Sequence, residues 1–83
     1  MERQEVFEKV AEMIGGILDI PTERIKEESR FKEDLSAISL DLSELSMMVE
    51  DEFGDFKDID DIENRIVTVG DVVTLIMNMP QEE

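Results

Sequence analysis

The chain has 83 residues, 41% of them hydrophobic, which suffices for one modest core and argues against disorder. A formal net charge of −15, from 23 acidic and 8 basic residues, excludes a general nucleic-acid binder and argues against docking on anionic membranes, since both need Lys and Arg. Cysteine and histidine are absent, which removes disulfides, thiolate metal sites and the commonest general base.

The natural counterpart of so acidic a surface is a basic patch on another protein, met in fast, salt-sensitive association. The opening "MERQEVFEKV" is charged and amphipathic, unlike a signal peptide. No apolar run approaches the ~20 residues of a membrane span. A cytoplasmic protein with one domain over 1–83 is the expectation, and a monomer.

Val6, Val10, Met13, Ile14 and Ile17 recur at helical spacing and predict a first helix over Glu2–Leu18, its face widened by Phe7 and Leu18. Gly15 and Gly16 are poor helix residues; they mark either a close helix contact or a fraying end. A long connection follows, Asp19–Ala37. Pro21 moves Ile20 out of the α region. Ile20, Ile25, Phe31 and Leu35 are apolar anchors that pin an ordered loop to the core.

A second helix is predicted over Ser39–Phe53. Leu42, Leu45, Val49 and Phe53 fall on its core stripe, and Gly54 stops it. Asp55–Ile66 suits a short helix or turn anchored by Ile59, Ile62 and Ile66. Thr68 and Asp71 then fit a capping box for a last helix with Val69, Val72, Val73 and Ile76 inside. Residues 79–83 form a loose tail. The strand signal is weak. The fold predicted is all-α: a small four-helix bundle, three main helices and one short one, with a long first loop.

The second helix has another face. Leu40, Glu44, Met47 and Asp51 are spaced 4, 3 and 4, nearly opposite the core stripe. Between Lys32 and Lys57 stand eight acidic residues and no basic one, Asp41 and Glu50 among them. Exposed Leu and Met are common, so a solvated acidic face explains part of this. The unbroken run of like charge favours docking, with apolar anchors for affinity and carboxylates for steering. Four of the five serines lie close by: Ser36, Ser39, Ser43 and Ser46. Ser39 stands at the predicted helix start, where Ser is a favoured N-cap. A helix N-terminus also suits a phosphate.

The ordered set "SRFKEDLSAISLD", "SELSMMVEDEFG" and "RIVTVGDVV" resembles the acyl carrier proteins. Phe31 and Glu33-Asp34-Leu35 match the family's lead-in, Ser39-Leu40 the modified serine and its Leu, Asp51-Glu52-Phe53 the helix end, and Thr68-Val69 the last helix start. The register holds from Val6 to Ile76. The resemblance implies that a phosphopantetheinyl transferase attaches 4′-phosphopantetheine, from coenzyme A, to Ser39. The arm's thiol carries acyl groups as thioesters, and acyl-processing enzymes with basic docking patches do the chemistry. It implies partner contacts at Leu40, Asp41, Glu44, Met47, Glu50 and Asp51. Two positions depart from the family: Ile38 replaces the Asp before the serine, and Ser36 replaces a Gly. Ile38 removes a charge the transferase normally uses, and turns either inward over the bundle or outward to alter partner choice.

Two other readings stand beside the carrier. One is an unmodified acidic module that binds a basic protein. The other is a calcium site in "DFKDIDDIE", which lacks the central Gly and the terminal Glu of an EF-hand loop, so no metal site is assigned. With no base to activate a serine, an enzyme is not expected. Fatty-acid synthesis suits the acidic second helix better than a peptidyl pathway does.

Overall fold

The computed structural model describes residues 2–54 and 66–78. Three α-helices are present among them: α1 (Arg3–Leu18), α2 (Ser39–Phe53) and α3 (Val69–Met77). A single 3₁₀ turn, Thr22–Arg24, interrupts the loop between α1 and α2. The all-α bundle is as the periodicity predicts, and no β-strand occurs among the described residues. The expected short helix at Asp55–Ile66, with Ile59 and Ile62, lies outside them except for Ile66, which is buried. The 79–83 tail and the acidic run Asp55, Asp58, Asp60 and Asp61 also lie outside them.

α1 is the centre of the packing and touches both α2 and α3. Its buried face is Val6, Val10, Met13 and Ile14, with Ala11 filling the gap between turns. Ile17, Phe7 and Leu18 pack against the edge of this core. From α2 come Leu42, Leu45 and Val49, with Phe53 half-buried. Val69, Val72, Val73 and Ile76 of α3 close the core. Each buried aliphatic side chain contributes roughly 1.5–3 kcal/mol by leaving water. That sum opposes a chain entropy cost of similar size.

The long first loop is ordered, and its order has identifiable causes. Ile25 and Phe31 are buried, and Ile20 and Leu35 half-buried, so all four anchors reach the core. The backbone of residues 27–31 runs beside the start of α3. Gly70 N–H donates to Glu27 O at 2.8 Å, Val69 N–H to Ser29 O at 2.9 Å, and Phe31 N–H to Val67 O at 2.9 Å. Arg3, at the start of α1, reaches across both: its guanidinium donates to Glu27 Oε1 at 2.6 Å, to Thr74 Oγ1 at 3.1 Å and to Gly70 O at 3.3 Å. A Cβ at Gly70 would stand 3.1 Å from Glu27 O, tighter than most such contacts, so a larger residue there would press on the loop backbone.

The same reasoning separates the two glycines of α1. A Cβ at Gly15 would meet Ile20 O at 2.9 Å, whereas at Gly16 it would meet nothing within 4 Å. Gly15 thus admits the returning loop rather than another helix, and Ile20 N–H caps the helix end by donating to Gly15 O at 3.1 Å.

Candidate functional site

The approach to α2 is built by a tight loop. Asp34 and Leu35 N–H both donate to Arg30 O, at 2.9 and 3.0 Å, and Ala37 N–H donates to Phe31 O at 2.8 Å. The Arg30 guanidinium, hydrogen-bonded to Asp34, holds that carboxyl below the usual carboxylate range, helped by the Arg30 N–H. Ser36 makes the turn in the left-handed region, with φ 57°. Ala37 then points into the core, where it is buried. Ile38 follows in extended geometry, φ −107° and ψ 172°, and helix begins at Ser39.

This corrects one expectation. Ser39 is not the N-cap of α2; it is the first helical residue, and Ile38 is the cap. The first intrahelical bond runs from Leu42 N–H to Ile38 O at 3.1 Å, which fixes the boundary. An Ile side chain has no acceptor, so the cap residue's side chain leaves the first amides of α2 unbonded. α3 differs: Thr68 Oγ1 accepts from Asp71 N–H at 3.2 Å, and Asp71 Oδ2 accepts from Thr68 N–H at 3.0 Å. The predicted capping box at Thr68 and Asp71 is therefore present in full.

Around Ser39 the surface is apolar. Ile38 is 60% exposed and Leu40 is 70% exposed, while Ser39 between them is itself exposed. Of the two orientations open to Ile38, the outward one is adopted. Further along α2, Met47 is 68% exposed, and Glu44, Glu50 and Asp51 are exposed with it. Leu40, Glu44, Met47 and Asp51 share the face opposite the buried Leu42, Leu45 and Val49, as the helical spacing requires.

Asp41 behaves differently from the other acidic residues of α2. It is half-buried, and its Oδ2 accepts the Ile38 N–H at 3.0 Å. The sequence carried the three-residue spacing of a capping box here, but Ile38 in the first position hides it. The remaining serines separate as well. Ser46 is buried and donates to Leu42 O at 3.0 Å, a common way to satisfy a hydroxyl inside a helix. Ser43 is an exposed helix position and Ser36 an exposed loop position.

A shallow apolar cleft lies between α1 and α2, lined by Ile17, Leu18, Phe31 and Leu45, with Asp41 at its edge. It is open to solvent at its mouth and encloses no ligand-sized cavity. Among the described residues no group of three or more acidic side chains gathers in a metal-binding arrangement, and no helix is long and apolar enough to cross a membrane.

The site is thus an exposed serine at a helix start, beside an acidic face, on an all-α bundle, which is the arrangement that the resemblance to carrier domains implies. Residues 8–76 match the family described as "Phosphopantetheine attachment site". The chain is 40% identical to the acyl carrier protein of Saccharopolyspora erythraea over 79 residues, which span 95% of this chain and 82% of that one. It is 42% identical to the acyl carrier protein of a Picosynechococcus species over 73 residues, 88% of this chain and 89% of that one. The chain belongs to the acyl carrier protein family. Its prosthetic group is 4′-phosphopantetheine, on which it carries acyl groups, and the unmodified-module reading is not favoured.

Proposed function

We propose that Ser39 is the attachment point of the 4′-phosphopantetheine arm and that the outer face of α2 presents the loaded arm to partner enzymes. The observation that carries this is the placement of Ser39: an exposed hydroxyl at the first turn of a helix whose cap residue, Ile38, offers the leading amides no side-chain acceptor. A phosphodiester on Oγ would lie where those N–H groups and the helix dipole favour negative charge. The residues present therefore suit the group. When attached, the arm supplies a terminal thiol that holds the acyl chain as a thioester.

In this reading the chain is not itself an enzyme. It works in the cytoplasm as one domain and a monomer. Its partners are a phosphopantetheinyl transferase and acyl-processing enzymes with basic docking patches, in fatty-acid or related acyl-chain synthesis. Leu40 and Met47 are the apolar anchors, and Glu44, Glu50 and Asp51 the steering carboxylates. Asp41 acts through the helix start it secures. Intact mass after incubation with coenzyme A and a broad-specificity transferase tests the assignment. One phosphopantetheine mass is expected on the wild type and none on Ser39→Ala; a gain that persists in Ser39→Ala refutes it.

A further inference from the structure

We propose that Ile38 is a recognition contact: the phosphopantetheinyl transferase that modifies Ser39 meets the start of α2 through an apolar shelf that covers Ile38 and Leu40, and reaches the carboxylates only further along the helix. The inference rests on Ser39 being the attachment point.

Three observations carry it. First, the outward direction of Ile38 is imposed by its neighbours. Ser36 turns the chain in the left-handed region, and Ala37 is drawn inward by burial and by its 2.8 Å bond to Phe31 O. Ile38 follows in extended geometry with its side chain facing outward.

Second, among the described residues Ile38 belongs neither to the core nor to the hydrophobic residues packed against it. Ile38 occupies a capping position it cannot serve, and it stays 60% exposed. A residue that breaks a local rule without an internal gain marks a surface under another constraint.

Third, the exposed α2 side chain next to Ser39 is apolar, Leu40, and the exposed carboxylates come only further along, with Met47 among them. Asp41, the acidic residue nearest Ser39 on the helix, is half-buried and turned back to the Ile38 N–H. The first exposed carboxylate of α2 is Glu44, followed by Glu50 and Asp51. At about 1.5 Å of rise per residue, these lie roughly 7–18 Å along the axis from Ser39. The matching surface thus has an uncharged, apolar contact beside the serine and Lys or Arg residues beyond it. A basic group set directly against Ile38 would be desolvated without a counter-charge.

The test is modification of the intact protein by the phosphopantetheinyl transferase of the same organism, followed by mass at several salt concentrations. Ile38→Ala should lower kcat/KM roughly five- to thirty-fold, mainly through KM, as expected for lost apolar burial. Its salt dependence should match that of the wild type. Glu44→Gln and Asp51→Asn should instead flatten the salt dependence. Ile38→Asp should lower kcat/KM at least as much as Ile38→Ala while raising the melting temperature, because it caps α2. That opposition separates a contact from a merely structural role. Equal rates for wild type, Ile38→Ala and Ile38→Asp, or a faster Ile38→Asp, overturn the inference while leaving Ser39 assigned. A wild type that gains no mass, or a gain that persists in Ser39→Ala, overturns the attachment reading and this inference with it.

Discussion

The Ile38 N–H donates to Asp41 Oδ2 at 3.0 Å, and Ile38 has no side-chain acceptor to return the bond. At the start of α3 the equivalent pair, Thr68 and Asp71, exchanges both bonds. One helix of the bundle therefore begins with half a capping box and another with a whole one. Completing the first should stabilise the protein. Ile38→Ser supplies an acceptor without adding charge and should contribute about 1 kcal/mol. For a domain of this size that raises the melting temperature by roughly 4–8 °C, measured by circular dichroism at moderate salt. No change, or a fall, would mean that α2 does not use its first turn in this way.

Ser36 stands in the left-handed region, φ 57°, where a side chain with a Cβ is strained. Glycine adopts that geometry freely but gives the unfolded chain more freedom. The strain term is the larger, so Ser36→Gly should raise stability by about 0.5–1 kcal/mol. Ser36→Val should lower it by more, because a β-branched residue tolerates positive φ least. Urea midpoints in the order Gly, Ser, Val from high to low would bear this out. Any order that places Val above Ser would refute it.

Much of this was legible in the sequence. The extents of α1 and α2, the buried stripe Leu42–Leu45–Val49 and the exposure of Leu40 and Met47 follow from periodicity, because a helix fixes which residues share a face. The Thr68–Asp71 box was legible because both residues are of the preferred types. Ile38 was not, since its direction depends on the left-handed turn at Ser36 and the burial of Ala37. Nor was the role of Gly15, which depends on where the carbonyl of Ile20 returns. The 3₁₀ turn Thr22–Arg24 and the pairing of residues 27–31 with the start of α3 are tertiary facts without a periodic signal.

The two glycines of α1 give a paired prediction. Ala is favoured over Gly in a helix by about 1 kcal/mol. At Gly16 the added methyl meets nothing within 4 Å, so Gly16→Ala should gain most of that amount. At Gly15 the methyl would stand 2.9 Å from Ile20 O and 3.3 Å from Thr22 Cγ2. The backbone carbonyl cannot move without disturbing the loop, and overpacking of this kind costs about 1–3 kcal/mol. Gly15→Ala should therefore be neutral to destabilising. Thermal unfolding of both variants decides the matter, and equal gains at the two sites would show that the loop yields.

The acid limb of the stability curve should report on Asp71. The backbone N–H groups of Thr68 and Val67, which donate to it at 3.0 and 2.8 Å, hold its carboxyl below the ordinary range. A carboxyl depressed on folding stabilises the native state fully above its unfolded value, about 3.9. That contribution falls away as pH drops through the folded value. Charge repulsion works in the opposite sense. With a net charge of −15, protonation relieves strain as pH falls from 7 towards the carboxylate range. At low salt, stability should therefore rise on acidification to about pH 4.5 and then drop. Added salt should abolish the rise, because exposed charges are screened, and leave the drop, because the Asp71 bonds are local. Asp71→Asn should lower stability at pH 7 by about 1 kcal/mol and shallow the acid limb. A variant whose acid limb matches that of the wild type would show that other carboxyls govern acid unfolding.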